Sequence, residues 1–410
     1  MQKITVGDIF QEYGGSYISE NNIKGQQKGI IKLLTACHTA SLGSHYRICN
    51  NCGHTDKVYN SCRNRHCPNC QHKDKESWLK KRMEELLPVG YYHLVFTIPH
   101  TLNELCFQNK KVMFDILFKA ASKTVLELSK DTGHLGADTG LITVLHTWGQ
   151  NMMQHPHLHC IMPAGGLSFD KTHWVHPTKK DGFFIYYKVL SKKFRGKFLD
   201  MLNTAYNEGK LSFRGKTAAI SSKKVFGAYL RQHYQKLWVV NIQKPFAHPQ
   251  KVLEYLSRYI FRIAISDRRI EKVENGKVYF TIKDYKQKGI FRRIHLDVNE
   301  FIRRFLMHVL PKGFFKVRYY GIFANVHRKT NITMAKAFLL EEQQEEKREA
   351  IEDGRRSWEK QDTVWEAIMH DIKNVINYNC PICKKGRMCF SGMVTPQVDV
   401  PFASVQVPLE

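Results

Sequence analysis

Five cysteines fall within 22 residues of this chain, as Cys49-x-x-Cys52, Cys62 and Cys67-x-x-Cys70. No other feature constrains the fold as tightly. The stretch around them is polar, rich in turn formers and short of large apolar residues. It cannot close on a hydrophobic core of its own. Two Cys-x-x-Cys pairs separated by 14 residues have the spacing of a zinc ribbon, in which each pair brings two thiolates to one tetrahedral ion. Metal binding would then supply the folding free energy that apolar burial cannot. The expected Zn2+ site is Cys49, Cys52, Cys67 and Cys70, with Cys37, His45, Cys62 and His66 as candidate ligands of a second zinc ion. Free buried thiols are the plain alternative, but five at this spacing rarely arise for packing. Cys380-Pro-Ile-Cys383, with Cys389 nearby, has the form of half a knuckle without an evident fourth ligand.

Charge narrows the class of partner. Lys and Arg number 63 against 37 Asp and Glu, a net +26 over 410 residues. An excess of this size points to a polyanion, most often nucleic acid. A hydrophobic fraction of 43% is enough for a real core and excludes disorder over most of the chain. No apolar run reaches the roughly 18 to 20 residues of a membrane span, so no membrane partner is expected. The opening residues MQKITVGDIFQEYGG lack the apolar stretch of a signal peptide. A cytoplasmic, reducing compartment with metal-binding thiols is expected.

Composition divides the chain into four regions. Residues 1–35 read as N-terminal helices and 36–90 as a zinc-binding domain. Residues 91–330 form a mixed α/β region, and 331–410 a charged helix and a tail with a partial Cys cluster. In the third region YYHLVFTIP, LITVLHTWG and HLHCIMPA read as strands. NELCFQNKKVMFDILFKAASKTVLELSK reads as one long helix. HPQKVLEYLSRYIFRIAIS is an amphipathic helix entered through Pro249. RRIEKVENGKVYFTI is a hairpin turning at Asn275-Gly276, and NEFIRRFLMHVLP is a helix stopped by Pro311. Strands and helices without strict alternation indicate an α+β fold.

Two strings in this region carry chemistry. In HPHLHC, His157 and His159 project to one face of a strand, because side chains alternate with a period of two. Two imidazoles so placed can share a divalent ion, and the preceding strand offers Gln150 and His146 as a third ligand. His155 precedes Pro156 and is expected to lie outside the strand. Surface or structural histidines are the bland reading. In YLSRYIFR, Tyr255 and Tyr259 lie one turn apart on a helix face, where core packing is the bland reading. A metal site on a sheet, a tyrosine pair on a helix and a basic body are together the parts of a metal-assisted DNA transesterase. A tyrosine oxygen can attack phosphorus and leave a covalent adduct, while an ion offsets charge on the phosphate oxygens.

The strings RICNNCGHTDKVYNSCRNRHCPNCQ, YYHLVFTIPH, HTWGQNMMQHPHLHCIMPAGGLS, YLSRYIFRIAISDRRI and PKGFFKVRYYGIF follow one another in this order. Together they resemble the insertion-sequence-ninety-one family of bacterial transposases, in the two-tyrosine branch of the HUH nuclease superfamily. The resemblance spans about residues 30 to 325. It implies a HUH-type central antiparallel sheet flanked by helices, preceded by a small zinc-binding domain and followed by a helical, Cys-containing tail. It also implies that His157 and His159, with Gln150 as a weaker third ligand, hold Mg2+ or Mn2+, and that Tyr255 and Tyr259 are the nucleophiles. The implied reaction is rolling-circle transposition through 5′-phosphotyrosine intermediates, on single-stranded DNA at element ends and on target DNA.

Residues 188–238 hold twelve Lys and Arg against Asp200 and Glu208, with Phe194, Phe198, Phe213, Phe226, Tyr229 and Tyr234 interleaved. Cations that track phosphates and rings that stack bases suit single-strand binding; a solvated face over an aromatic core is the alternative. Arg258 and Arg262 flank the tyrosines and are candidates to hold the phosphate. A plasmid replication initiator or relaxase would use the same chemistry, and a non-catalytic zinc-ribbon DNA-binding protein would use none.

Overall fold

The structure, a computed structural model, describes residues 4–23, 25–70, 78–79, 81–177, 185–246, 260, 264–284, 287, 289–352 and 379–394. From the N-terminus come α1 (Val6–Glu20), α2 (Gly25–Ala36), β1 (Ser44–Cys49), β2 (Thr55–Tyr59), β3 (Tyr91–Thr97), α3 (Asn103–Gln108) and α4 (Lys110–Lys130). There follow β4 (Gly140–Trp148), β5 (Gln154–Pro163), β6 (Gly166–Leu167), β7 (Trp174–Val175), α5 (Tyr187–Asn207), α6 (Lys223–Gln235) and β8 (Val240–Phe246). The last are β9 (Ile270–Glu274), β10 (Lys277–Asp284), β11 (Ile290–Asp297), α7 (Val298–Met307), β12 (Val317–Gly321), α8 (Arg328–Glu352) and β13 (Met388–Val394). The fold is α+β with antiparallel sheets. The chain divides into two compact units.

One unit comprises Met1–Glu76, Ser266–Leu306 and Trp358–Glu410. Helix α1 starts at a capping box: the Thr5 hydroxyl accepts from the Asp8 N–H, and the Asp8 carboxylate accepts from the Thr5 N–H at 2.8 Å. Its buried stripe of Val6, Ile9, Phe10 and Tyr17 has helical spacing. Phe10 meets Phe305 of α7 edge-on, with ring centroids 5.1 Å apart. Gly14 lets α2 approach closely, since a Cβ there would sit 2.8 Å from the Thr35 hydroxyl. The hairpin β9–β10 turns at Asn275 and Gly276, both with positive φ (51° and 69°), as a two-residue turn requires. Strand β11 extends it to a three-stranded sheet, and Phe280 of β10 packs on Phe301 of α7. A second sheet has the order β13-β1-β2. Segment 266–306 and β13 therefore join the N-terminal residues in one unit, although the sequence divisions place them in the third and fourth regions.

The other unit comprises Ser77–Ile265 and Met307–Ser357. Its five-stranded sheet has the order β12-β4-β5-β3-β8, antiparallel throughout. The strand pleat gives this sheet two different faces. Leu94 and Phe96 of β3, Leu158 and Cys160 of β5, and Leu141 and Leu145 of β4 fill one face. They pack with Phe114 and Leu117 of α4, Phe194 and Phe198 of α5, and Phe226 of α6 in one core. On the other face Tyr91, Ile142, Val144 and Ile161 join Ile332, Ala335 and Leu339 of α8. Further along the same strands that second face carries histidines.

The single helix expected over 103–130 is two. It breaks at Asn109 (φ −120°), whose side-chain amide donates to the carbonyls of Leu105 and Ser212. A side chain that bonds the backbone in this way competes with helix continuation. The amphipathic helix expected around Tyr255 and Tyr259, with Arg258 and Arg262, lies outside the described residues. No helix among the described residues is long and apolar enough to cross a membrane. Because Phe96 is fully buried and in T-shaped contact with Phe194, Phe96→Ala should destabilise its unit by about 3–5 kcal/mol, measured as a lowered urea midpoint.

Candidate metal centres

His157 and His159 stand on β5 two residues apart and so on one face. Antiparallel register places His146 of β4 directly across from His157. The three imidazoles form one group whose ligand atoms lie within 4.8 Å of one another. The Nε2 atoms of His157 and His159 are 3.1 Å apart. The hydrogen bonds behind them set the tautomers. His157 Nδ1 donates to the His155 carbonyl at 2.6 Å, which can only accept. Gln243 Oε1 accepts from His93 Nδ1 at 3.1 Å, so His93 Nε2 accepts from His159 Nδ1 at 2.9 Å. Both Nε2 lone pairs are then turned toward the same point, a repulsive arrangement that a shared cation relieves.

Protonation does not supply that cation readily. Burial pushes the His157 imidazolium down to about 4, against the pull of the His155 carbonyl. His159 falls well below its ordinary value, first by burial and then by the neighbouring His157 and His93. His93 is lowered by burial too. Neutral imidazoles at ordinary pH are the ligand form. Trp148 stacks on His146 with centroids 4.6 Å apart, and Lys316 sits over Trp148. Gln150, the weaker expectation for a third ligand, is exposed in the turn after β4. His146 was available to sequence reasoning as an alternative. What raises it is the β4–β5 register, which no string of residues displays. His155, expected outside the strand, lies within β5, which starts at Gln154.

The thiols group differently from the sequence expectation. Cys49 and Cys52 do not meet Cys67 and Cys70. One group is Cys37, Cys62, Cys67 and Cys70; the other is Cys49, Cys52, Cys380 and Cys383. In the first, Cys37–Cys70, Cys62–Cys70 and Cys67–Cys37 sulfurs are each 3.5 Å apart. Ligands about 2.3 Å from a tetrahedral zinc ion lie roughly 3.8 Å from one another, so the spacing is that of a zinc site and far beyond a disulfide bond. Hydrogen bonds from Cys37, Cys62 and Cys67 hold the Cys70 thiol down, toward the thiolate that binds metal. His45 and His66 belong to neither group. Their Nδ1 atoms pair with Asn60 Oδ1 and Asn64 Oδ1 at 2.9 and 3.1 Å. Proximity in sequence misleads here because the 49–52 pair is the turn of the β1–β2 hairpin, and β13 brings its partner thiols alongside.

The basic stretch 188–238 splits by residue type. Phe194, Phe198 and Phe226 are core residues and cannot stack bases; Phe213 and Tyr229 pack against that core. Tyr234 is exposed but hydrogen-bonds Asp200 at 2.5 Å. Lys193 and Lys197 pair with Glu127. Lys188, Lys192, Lys223, Lys224 and Arg231 remain exposed and give α5 and α6 a cationic surface, with Lys216 exposed on the segment between them.

Residues 9–98 match the family model described as "Transposase zinc-binding domain", and residues 140–330 the model described as "Putative transposase". These matches define the class, a transposase, and hence a nucleic-acid-cleaving enzyme that acts on DNA. Among relatives, the "Putative transposase y4qJ" of Sinorhizobium fredii is 42% identical over 82% of this chain and 84% of its own length. The "Transposase for insertion sequence element IS801" of Pseudomonas savastanoi pv. phaseolicola is 26% identical over 75% of this chain and 73% of its own. The chain belongs to the IS91 family of transposases. No solved structure matches it.

The zinc-binding domain and the thiol groups support structural Zn2+. Cys62→Ser should therefore lose about one zinc ion per chain and lower the thermal transition, measured by elemental analysis and calorimetry. Cys106→Ala, whose thiol is buried in the apolar core, should leave the zinc content unchanged.

Proposed function

We propose that this transposase cleaves and rejoins single DNA strands through covalent 5′-phosphotyrosine intermediates, and so drives rolling-circle transposition of an insertion sequence. The observation that carries the reading is the convergence of His157 Nε2 and His159 Nε2, with His146 completing the group. His146, His157 and His159 would hold the divalent ion, with Gln150 a further candidate. Imidazole is a softer donor than the oxygens Mg2+ prefers, so the set fits Mn2+ better. When bound, the ion polarises the scissile phosphate and offsets charge on its non-bridging oxygens.

In this reading Tyr255 or Tyr259 is the nucleophile. Its oxygen attacks phosphorus, the bond to the 3′ oxygen breaks, and that oxygen leaves as a 3′-hydroxyl after taking up a proton. The adduct keeps the bond energy of the phosphodiester, so a 3′-hydroxyl can reverse the step and join strands without a nucleotide cofactor. Two tyrosines allow a second strand to be cut while the first is held. The exposed cations of α5 and α6 supply a sequence-independent hold on the DNA backbone. The proposed place of action is cytoplasmic, at the nucleoid.

The test is a denaturing gel of the full-length protein with Mn2+ and single-stranded element ends. Wild type should give a covalent protein–DNA band, each of Tyr255→Phe and Tyr259→Phe should change it, and the double variant should abolish it. An adduct surviving in the double variant overturns the nucleophile assignment. No adduct from wild type on cognate ends favours a binding protein without catalysis. His93→Leu, which removes the hydrogen bond behind His159, should weaken Mn2+ binding by roughly 10–100-fold, measured by titration calorimetry with zinc content unchanged.

A further inference from the structure

We propose that Cys49, Cys52, Cys380 and Cys383 bind one structural zinc ion, so that the zinc ribbon of this transposase is closed by a strand from the far end of its chain. The match to the zinc-binding family model ends at residue 98, and the two C-terminal thiols lie beyond both matched regions. The proposal stands whether or not the strand-transfer chemistry above is correct.

Three observations carry it. The first is sulfur geometry. Cys49 and Cys383 sulfurs are 3.7 Å apart, and Cys52 and Cys380 sulfurs 3.5 Å, again close to the edge of a tetrahedral zinc site at roughly 3.8 Å. Cys49 and Cys380 are almost fully buried, yet among the described residues their apolar cluster adds only Met388 and the partly buried Cys383. An apolar cluster that small gives the two loops little to hold together by, whereas a metal ion shared by the four thiols would join them.

The second is the backbone. The two Cys-x-x-Cys loops are built alike. The Gly53 N–H returns to the Cys49 carbonyl, and the Lys384 N–H to the Cys380 carbonyl. The residue after each second cysteine has positive φ, 72° at Gly53 and 56° at Lys384. Backbone N–H groups point at the sulfurs: Asn51 and Cys52 donate to Cys49 at 3.4 and 3.5 Å, and Gly386 donates to Cys383 at 3.3 Å. This is how a thiolate is stabilised for a metal. Strand β13 pairs antiparallel with β1 from Ser44–Val394 to Cys49–Met388, and the two loops are tied by Asn50 N–H to the Arg387 carbonyl.

The third is Gly386. A Cβ at this position would lie 2.4 Å from the Cys49 sulfur and 2.5 Å from Asn51 Cβ. The loop therefore needs glycine to bring its thiols against those of β1. The ends of this site are 328 residues apart at Cys52 and Cys380. Closing so long a loop carries an entropic cost, which the metal–thiolate bonds offset at the point where the strand docks.

The test is zinc content of the full-length protein by elemental analysis, in a His157→Ala/His159→Ala background so that only thiol sites report. The parent should hold about two zinc ions. Cys380→Ser/Cys383→Ser and Cys49→Ser/Cys52→Ser should each hold about one. The quadruple variant should also hold about one, because both pairs serve the same ion. The zinc retained by the Cys37 group shows that the variants keep their fold. Gly386→Val, which leaves every thiol in place, should lose one ion faster to EDTA. Full zinc content in Cys380→Ser/Cys383→Ser overturns the proposal, as does a quadruple variant with less zinc than either double variant.

Discussion

The antiparallel register of β4, β5 and β3 is the constraint on which the candidate centre depends. Pairing of His146 with His157 and of Val95 with His159 puts three imidazoles on one face. A slip of one residue would turn His157 and His159 onto the opposite face, where Leu94, Phe96 and Leu158 pack under α4 and α5. That core is what forbids the slip: each strand would have to trade fully buried apolar side chains for imidazoles. The helices on the far side thus hold the histidines in place without touching them. Burial then keeps the imidazoles neutral, and the chain from Gln243 through His93 to His159 fixes which nitrogen is offered.

A different kind of cohesion organises the other unit. Helices α1 and α7 join through aromatic packing of Phe10 on Phe305, as in any small core. The β13-β1-β2 sheet has no such resource. Tyr46, Ile48, Tyr59, Phe390 and Met393 on it are exposed, and sulfur groups stand where a core would be. For this sheet, metal coordination would take the part that apolar burial takes in the five-stranded sheet. Thiols far apart in sequence, Cys49 and Cys52 with Cys380 and Cys383, come together beside this sheet.

The positive charge acquires a location from the fold. Several of the rings interleaved with the cations of residues 188–238 belong to the core, so what α5 and α6 present outward is mostly charge, beside the exposed rings of Tyr187 and Tyr234. Contacts of that kind follow the phosphate backbone, are weakened by salt and carry no base sequence. A transposase still has to recognise its ends, and cationic helices alone do not provide that recognition.

Much was legible in the residues themselves. Strand periodicity marked β3, β4 and β5, the Asn275-Gly276 pair marked a hairpin, and His157-x-His159 marked a shared face, because each depends on neighbours within a few positions. The α+β class and the zinc-binding character follow from such local signals, and the transposase family from the resemblance carried by five strings in order. The division of thiols between two groups, the half-knuckle at Cys380 finding its partner at Cys49, and the promotion of His146 were decided by the tertiary structure. Each is a pairing between strands distant in sequence, and the apolar faces and glycine contacts that select such a pairing exist only once the chain has folded.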